Sequence, residues 1–509
     1  MLVKKQSRLW YPILFGLYPV LTFLASNVQQ IYPGIALRAV ALGLIAAVLL
    51  YGLLRLVLGN WPRAALVSSL LAAFFYSYGH LYSLIENKTL FGLVVGRHRI
   101  LVVVYLLILG AAVYLALARA WKNAQLHQLL NFIAVVLVAL PLLRLGAFAY
   151  NFWTTESRSR AVAQPAAAAA DANAPDVYFI ILDSYARDDV LQKEFQLDNT
   201  ALLQQLQQMG FVIPACAQSN YAMTSASLPA TLNMQYLEQL PEVINPDGLD
   251  YTLMGDYIQH SAVRQHFKDL GYQMVAFESG VWWAETTDAD VYISRVQNPM
   301  STLASFHSIN QFEDMFLRTT AFRILSEAQT AYLDRFFAQV KTPEQDHYER
   351  VLFVTEQAGQ VPLLPGKKFA FLHLVAPHPP YVFSPDGSFQ YSEELKPGYP
   401  DELVYLNQLV VPMLRKILEN SSRPPVIILQ ADHGVGENRM PILSAYYLPD
   451  GGDQSVYAQL TPVNNFRLIF DYYFQGHYGL LKDVSYDSIY KDPFNFTIVP
   501  ATCSAIGKK

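Results

Sequence analysis

Hydrophobic and polar positions divide the chain near residue 150. Before that point five apolar stretches follow one another. Residues 9–37 carry no charge, 39–54 read AVALGLIAAVLLYGLL, 64–85 read AALVSSLLAAFFYSYGHLYSLI, and 100–118 and 123–143 complete the set. A helix needs about 20 apolar residues to cross the hydrocarbon core. Four stretches meet that length, and 39–54 does so if Arg38 and Arg55 snorkel at its ends. Buried helices of a soluble protein are the rival reading, but those show polar faces and these stretches do not. After Asp176 the pattern changes to short β-branched and aromatic runs separated by helical segments. DVYFIILD (176–183), KKFAFLHLVAPH (367–378) and PPVIILQADHG (424–434) read as buried strands. LLQQLQQMGFVI and HSAVRQHFKDLGYQMVAFES read as helix, turn glycine and strand, and YLNQLVVPMLRKILENS (405–421) as a helix that Pro412 kinks or starts. Helices alternating with uniformly apolar strands predict a mostly parallel sheet covered on both faces.

The expected organisation is a transmembrane domain of five helices over 1–150, a linker over 151–175 and a soluble domain over 176–509. The linker is the Ala-rich stretch ending in ANAP, and Tyr150 and Trp153 beside it suit a membrane interface. Charge follows the same division. Residues 1–160 hold 14 Lys and Arg against 2 Asp and Glu, a net +12; the other 349 residues hold 22 against 39, a net −17. A nearly acid-free apolar third suits a membrane, the remainder suits a soluble domain, and no basic patch points to nucleic acid. Lys4, Lys5 and Arg8 precede the first stretch, which places the N-terminus in the cytoplasm and, after five crossings, everything beyond Tyr150 outside. The first stretch is too long for a cleaved signal, and four more spans follow it. Cys216 and Cys503 are the only cysteines. They are too few for a disulfide framework or a cysteine metal site, and they either pair outside the cytoplasm or remain two thiols.

Ligands of such sheets bind at the carboxyl ends of the strands. Three strands here end in chemistry: one at Asp183, one leading to His378, one leading to Asp432 and His433. Each has a plainer reading alone. Asp183 can cap a helix, Asp432 can cap and His433 be satisfied in the core, and His378 in APHPPY can be a surface loop residue. Adjacent Asp and His after a buried strand also reach one metal ion if the chain turns at once, and Gly434 permits the turn. In SNYAMTSASLPATLNMQYL (219–237), Thr224, Ser225 and Ser227 are either a nucleophile cluster or a polar helix start, in which Ser227 is the cap and Pro229 takes an early helical position.

Together these elements resemble the alkaline phosphatase superfamily in its sulfatase-like branch. The chain is similar to the lipoteichoic acid synthases and phosphoethanolamine transferases, which are also five-span membrane proteins with an external catalytic domain. The motifs lie in about 176–237, 367–383 and 424–439, and TSASLPA resembles the Thr-x-x-Ser-(Val/Leu)-Pro stretch around the transferases' nucleophile. The resemblance implies an α/β/α sandwich of alkaline phosphatase/sulfatase type. It implies Thr224 as nucleophile, and Asp183, Asp432, His433 and the Thr224 oxygen as ligands of one divalent ion, zinc, manganese or magnesium. Those families tend to place Glu where Asp183 stands; Asp is usual among sulfatases. His378 would stabilise charge on the transferred group or protonate the leaving oxygen, and Asn220, Tyr221 and Tyr381 would contact substrate or be structural. The Cys/Ser-x-Pro-x-Arg segment that sulfatases convert to an aldehyde hydrate does not occur.

The function expected is a metal-dependent phosphotransferase or phosphodiesterase of the cytoplasmic (inner) membrane. It would take a phospho-head group from a membrane lipid donor to a cell-envelope acceptor or to water. The alternatives are a sulfuric- or phosphoric-ester hydrolase of sulfatase type and a catalytically inactive membrane scaffold.

Overall fold

A computed structural model describes residues 9–28, 33–86, 88–90, 93–94, 97–156, 174–240, 251–295, 309–327, 341–489 and 491–503. Lys4, Lys5, Arg8 and most of the expected linker lie outside the described residues. Contacts divide the chain into two units, Met1–Trp153 with Asn298–Pro343, and Thr154–Gln297 with Glu344–Lys509.

The first unit holds five long helices: α1 (Tyr11–Asn27), α2 (Leu37–Leu58), α3 (Trp61–Ile85), α4 (His98–Ala118) and α5 (Ala124–Glu156). Among the described residues four helices are long and apolar enough to cross a membrane: α2 extended to Gly34, then α3, α4 and α5 up to Tyr150. The fifth, α1, has 17 residues. Local chemistry sets the ends. Gly59 closes α2 in the left-handed region, and the Asn60 side chain caps α3 by accepting from Arg63 N. α1 has no cap of its own; Trp10 N and Tyr11 N both donate to Asn131 Oδ1 of α5 at 3.0 Å.

A segment remote in sequence packs on these helices. Helix α7 (Gln311–Arg318; α6 is introduced below) starts at a capping box between Asn310 and Glu313. It buries Phe312 and Phe316 against Val20, Leu24 and Ala36. Arg38 does not snorkel to solvent as expected: both its Nε and Nη2 bind the Glu313 carboxylate, each side chain being 10% exposed. Gly79 of α3 must be glycine, because a Cβ there would stand inside the Arg318–Thr319 backbone.

The second unit is built on a six-stranded sheet. Its strands are β1 (Val177–Leu182), β2 (Gln273–Phe277), β3 (Val291–Ile293), β4 (Lys368–Leu374), β5 (Val426–Gln430) and β6 (Ser444–Tyr447), in the order β6-β5-β1-β4-β2-β3. All pair in parallel except β6. Alternate residues of β1 enter opposite cores: Tyr178, Ile180 and Leu182 join one cluster, Val177, Phe179 and Ile181 the other. Helices cover both faces, giving an α/β/α sandwich. The helix of 405–421 is longer than its pattern predicts. Helix α8 (Leu395–Asn420) runs through Pro412, and its only non-helical residue is Lys396. FVI at 211–213 makes one bridge, Val212 to Tyr446, and no strand.

Cys216 and Cys503 are disulfide-bonded. The bond joins the segment before Thr224 to the end of a hairpin, β7 (Ser485–Ile489) and β8 (Asp492–Val499). Arg187 Nη1 reinforces it by donating to Ala217 O and Thr502 O at 3.1 and 2.7 Å. Such bonds persist in oxidising compartments. Cys503→Ser should destabilise the second unit by about 2–5 kcal/mol. Denaturation with and without reductant checks this, and equal stability would show that the bond does not form.

Candidate active site

The register of the sheet brings the predicted strand ends together. Leu182 pairs with Leu374, Ile181 with Gln430, and Asp183 N donates to Leu374 O at 2.9 Å. Asp183, Asp432 and His433 therefore emerge side by side, each no more than 2% exposed. Asp183 Oδ1 and Asp432 Oδ2 stand 3.7 and 3.6 Å from His433 Nε2. Ser184 N and His433 N both donate to Asp432 Oδ1 at 3.1 and 2.9 Å, which fixes that carboxylate. Asp432 Oδ2 is buried with no hydrogen-bond partner.

Thr224 is the first residue of α6 (Thr224–Asn233). Its Oγ1 lies 3.3 Å from His433 Nε2, the atom that both carboxylates approach. The cap position is Met223, extended, with no side-chain cap; its carbonyl accepts from Ala226 N and Ser227 N at 3.0 and 2.8 Å, which leaves the N–H groups of Thr224 and Ser225 at the open end of the helix. The expectation that Ser227 caps this helix is corrected. The helix starts three residues earlier, Pro229 lies inside it, and Ser227 Oγ is buried against Ser219 Oγ at 3.1 Å. Ser219 Oγ also binds Tyr221 O and Asp432 O, tying the Thr224 segment to the Asp432 strand end.

The remaining predicted residues separate. His378 is half-exposed in the loop after β4, its Nδ1 2.7 Å from Pro379 O. It acts on Asp183 electrostatically. Asn220 is fully buried and its amide is spent on the scaffold, accepting from Val463 N and donating to Val484 O, both at 2.8 Å. That is a structural role, not an open substrate contact. Tyr221 is likewise buried, stacked on Tyr486. Tyr381 is buried, packed on Tyr399.

Two site residues have no forecast in the sequence. His373, inside β4, places Nε2 3.1 Å from Asp183 Oδ2, and Asp183, His373 and Asp432 present ligand atoms within 4.8 Å of one another. The available signal was a histidine inside an apolar strand, since a buried imidazole needs a partner. Arg439 returns on the loop after His433, its Nη2 2.9 and 3.0 Å from the two ring nitrogens. Gly434 makes that loop possible by close approach: its N donates to Arg439 O at 2.7 Å, and a Cβ would meet Pro441 O at 2.6 Å.

Burial alone would raise the Asp183 carboxyl, but His378, His373 and His433 outweigh it and hold the group below its ordinary range. Burial pushes His433 down, with Arg439 adding to the effect. The site thus sets a carboxyl held low, Asp183, beside the Asp432 carboxyl and an imidazole that burial pushes toward its neutral form, a donor set that suits a divalent cation. The orphaned Asp432 Oδ2 fits that reading, because a buried carboxylate oxygen without a partner is costly.

The His378 loop is held from behind. Glu402 of α8 is fully buried, accepts from Val382 N through Oε2, and is raised by burial to about 8. The folded protein therefore holds this proton between 4.5 and about 8, where the unfolded chain has released it. This stabilising term is complete below 4.5 and lost as pH rises through about 8. Glu402→Gln should flatten the fall of apparent Tm across that window. An unchanged slope would show that another group carries it.

A family model described as Sulfatase matches residues 175–466. No curated protein matches the chain. Among solved structures, the zinc complex of the C-terminal periplasmic domain of EptC from Escherichia coli is 12% identical, covering 66% of this chain and 96% of that one, with TM-score 0.42. The integral membrane lipooligosaccharide phosphoethanolamine transferase A from Neisseria meningitidis is 10% identical, covering 90% and 94%, with TM-score 0.37. A 2-O GAG sulfatase is 11% identical, covering 59% and 70%, with TM-score 0.34.

Proposed function

The chain belongs to the sulfatase family, and from that premise we propose that it is a membrane-bound, metal-dependent phosphotransferase or phosphodiesterase with Thr224 as nucleophile. The observation that carries the reading is Thr224 Oγ1 at 3.3 Å from His433 Nε2, beside a buried, unpartnered carboxylate oxygen of Asp432. Asp183, Asp432, His433 and Thr224 would hold one divalent ion, zinc, manganese or magnesium, with His373 as a further ligand or as the residue that orients Asp183. When bound, such an ion supplies positive charge to the nucleophilic oxygen and to the phosphoryl oxygens. A threonine in place of Cys or Ser, without the Pro-x-Arg that follows them in sulfatases, favours phosphoryl over sulfuryl transfer.

Thr224 loses its hydroxyl proton to solvent as Oγ1 attacks the phosphorus of a diester and forms the new O–P bond. The bond to the leaving oxygen breaks, and protonated His378 delivers a proton to that oxygen. An acceptor hydroxyl or water then attacks the phosphothreonine diester and gives its proton back to His378, while the bond to Thr224 Oγ1 breaks and that oxygen takes a proton from solvent. A membrane lipid is the donor in this reading, and a cell-envelope hydroxyl the acceptor.

The protein lies in the cytoplasmic membrane with 176–297 and 344–509 outside. The Cys216–Cys503 bond supports that side. We count α1 as the fifth span. It rises about 26 Å and reaches from Asn131, near the start of α5, to Phe312 and Phe316, which its Phe23 touches. The test is mass spectrometry of the purified, metal-loaded protein after incubation with membrane lipids. A phospho-head group on Thr224 is expected, and its mass identifies the donor. An adduct on Ser225, or none alongside observed turnover, would overturn the nucleophile.

A further inference from the structure

We propose that Arg439 is the residue that binds the phosphoryl group undergoing transfer; the inference rests on the phosphotransferase reading above. Placement comes first. Thr224 Oγ1 and Arg439 Nη2 both contact His433 Nε2, at 3.3 and 3.0 Å, so the hydroxyl and the guanidinium stand within two hydrogen-bond lengths of each other. A phosphoryl group attacked by Thr224 lies in that interval. The loop is built to hold the arginine there: Gly434 N binds Arg439 O, and Arg439 Nε donates to Gly434 O at 3.3 Å. The side chain is half-buried.

Charge then gives the group its task. The two ligand carboxylates, Asp183 and Asp432, offset the charge of a divalent ion, so the ion and its carboxylates leave no net positive charge for an anionic diester. As the Thr224 oxygen adds, negative charge grows on the non-bridging oxygens. A fixed cation aimed at those oxygens stabilises the transition state more than the ground state. Arginine suits this better than lysine, because its planar fork pairs with two phosphoryl oxygens and it never deprotonates. A diester carries the anion that Arg439 recognises, whatever its head group, so head-group choice falls to other residues.

A role confined to steadying His433 makes different predictions, and three readouts separate the two. The full-length protein in detergent, wild type and Arg439→Gln and Arg439→Lys, is assayed with bis(4-nitrophenyl) phosphate. Inhibition by inorganic phosphate and bound metal are measured in the same preparations. Arg439→Gln should lose roughly 100-fold or more in kcat/KM and most of its inhibition by phosphate, with metal content unchanged. Arg439→Lys should recover part of both. Turnover and phosphate inhibition within twofold of wild type in Arg439→Gln would overturn the inference while leaving the reading of the site intact. So would loss of metal that accounts for the loss of turnover, since Arg439 would then act through His433. A metal-loaded wild type that neither turns over the diester nor binds phosphate would overturn the phosphotransferase reading itself, and this inference with it.

Discussion

Thr224→Ala should lower head-group transfer and diester hydrolysis by roughly 10,000-fold, whereas Thr224→Ser should keep a measurable fraction. The alanine removes the only hydroxyl within reach of His433 Nε2 among the three candidates in this segment. Ser227 Oγ is turned to Ser219, and Ser225 is buried in the first turn of α6. Neither can take over without moving the helix start. The fold should survive, because Thr224 is not the cap of its helix and no side chain caps it. Serine retains the hydroxyl but lacks the methyl that restricts rotation about the Cα–Cβ bond, so part of its population points away from His433. The measurement is turnover of the four variants Thr224→Ala, Thr224→Ser, Ser225→Ala and Ser227→Ala at matched expression. Wild-type-like rates in Thr224→Ala would end the mechanism proposed for this site.

Asp432→Asn should cost roughly 100-fold or more in metal affinity and remove activity, with little change in fold. The substitution is nearly isosteric. Its Oδ1 still accepts from Ser184 N and His433 N, which preserves the turn after β5. What disappears is the charge on Oδ2, the buried oxygen that no hydrogen bond satisfies. Without a cation, the wild-type oxygen is a liability of about 1–3 kcal/mol. The apo form of Asp432→Asn should therefore be at least as stable as apo wild type, and the order should reverse once metal is added. Elemental analysis, activity and circular dichroism on the same samples check all three parts. Retained metal and retained activity would remove Asp432 from the ligand set.

Asp183 and Asp432 are legible in the sequence because they sit where topology forces convergence. A parallel strand buried on both faces reads as an unbroken apolar run, and the residue that follows it is placed by the sheet. VYFIIL and VIILQ pair residue for residue, so Asp183 and Asp432 had to be neighbours. His373 and Arg439 obey no such rule. The first is hidden inside a run whose apolar neighbours mark it as core. The second is placed by a loop closing on Gly434, a contact that periodicity does not encode. Asn220 keeps two readings in the sequence for a related reason: a polar residue beside the Thr224 segment serves the backbone as readily as a substrate. Pro229 reads as an early helical position, yet α6 starts at Thr224 and carries the proline in its interior. A proline in the interior costs a helix one hydrogen bond, a cost this short, densely packed helix tolerates. Arg38 was assigned to the interface because its partner, Glu313, lies 275 residues away.

That last pairing bears on how the protein can be dissected. The linker looks like the place to cut, with everything after it free to stand alone. Yet Phe312 and Phe316 are covered by Val20, Leu24 and Ala36, with Phe23 against both rings. A polypeptide begun at residue 176 carries into water the apolar face of α7, with Glu313 cut off from Arg38 and Arg323 from Glu86. The dissection that respects the packing is discontinuous. It removes residues before the linker and also bridges from about Gln297 to Glu344, the two points where the second unit breaks off and resumes.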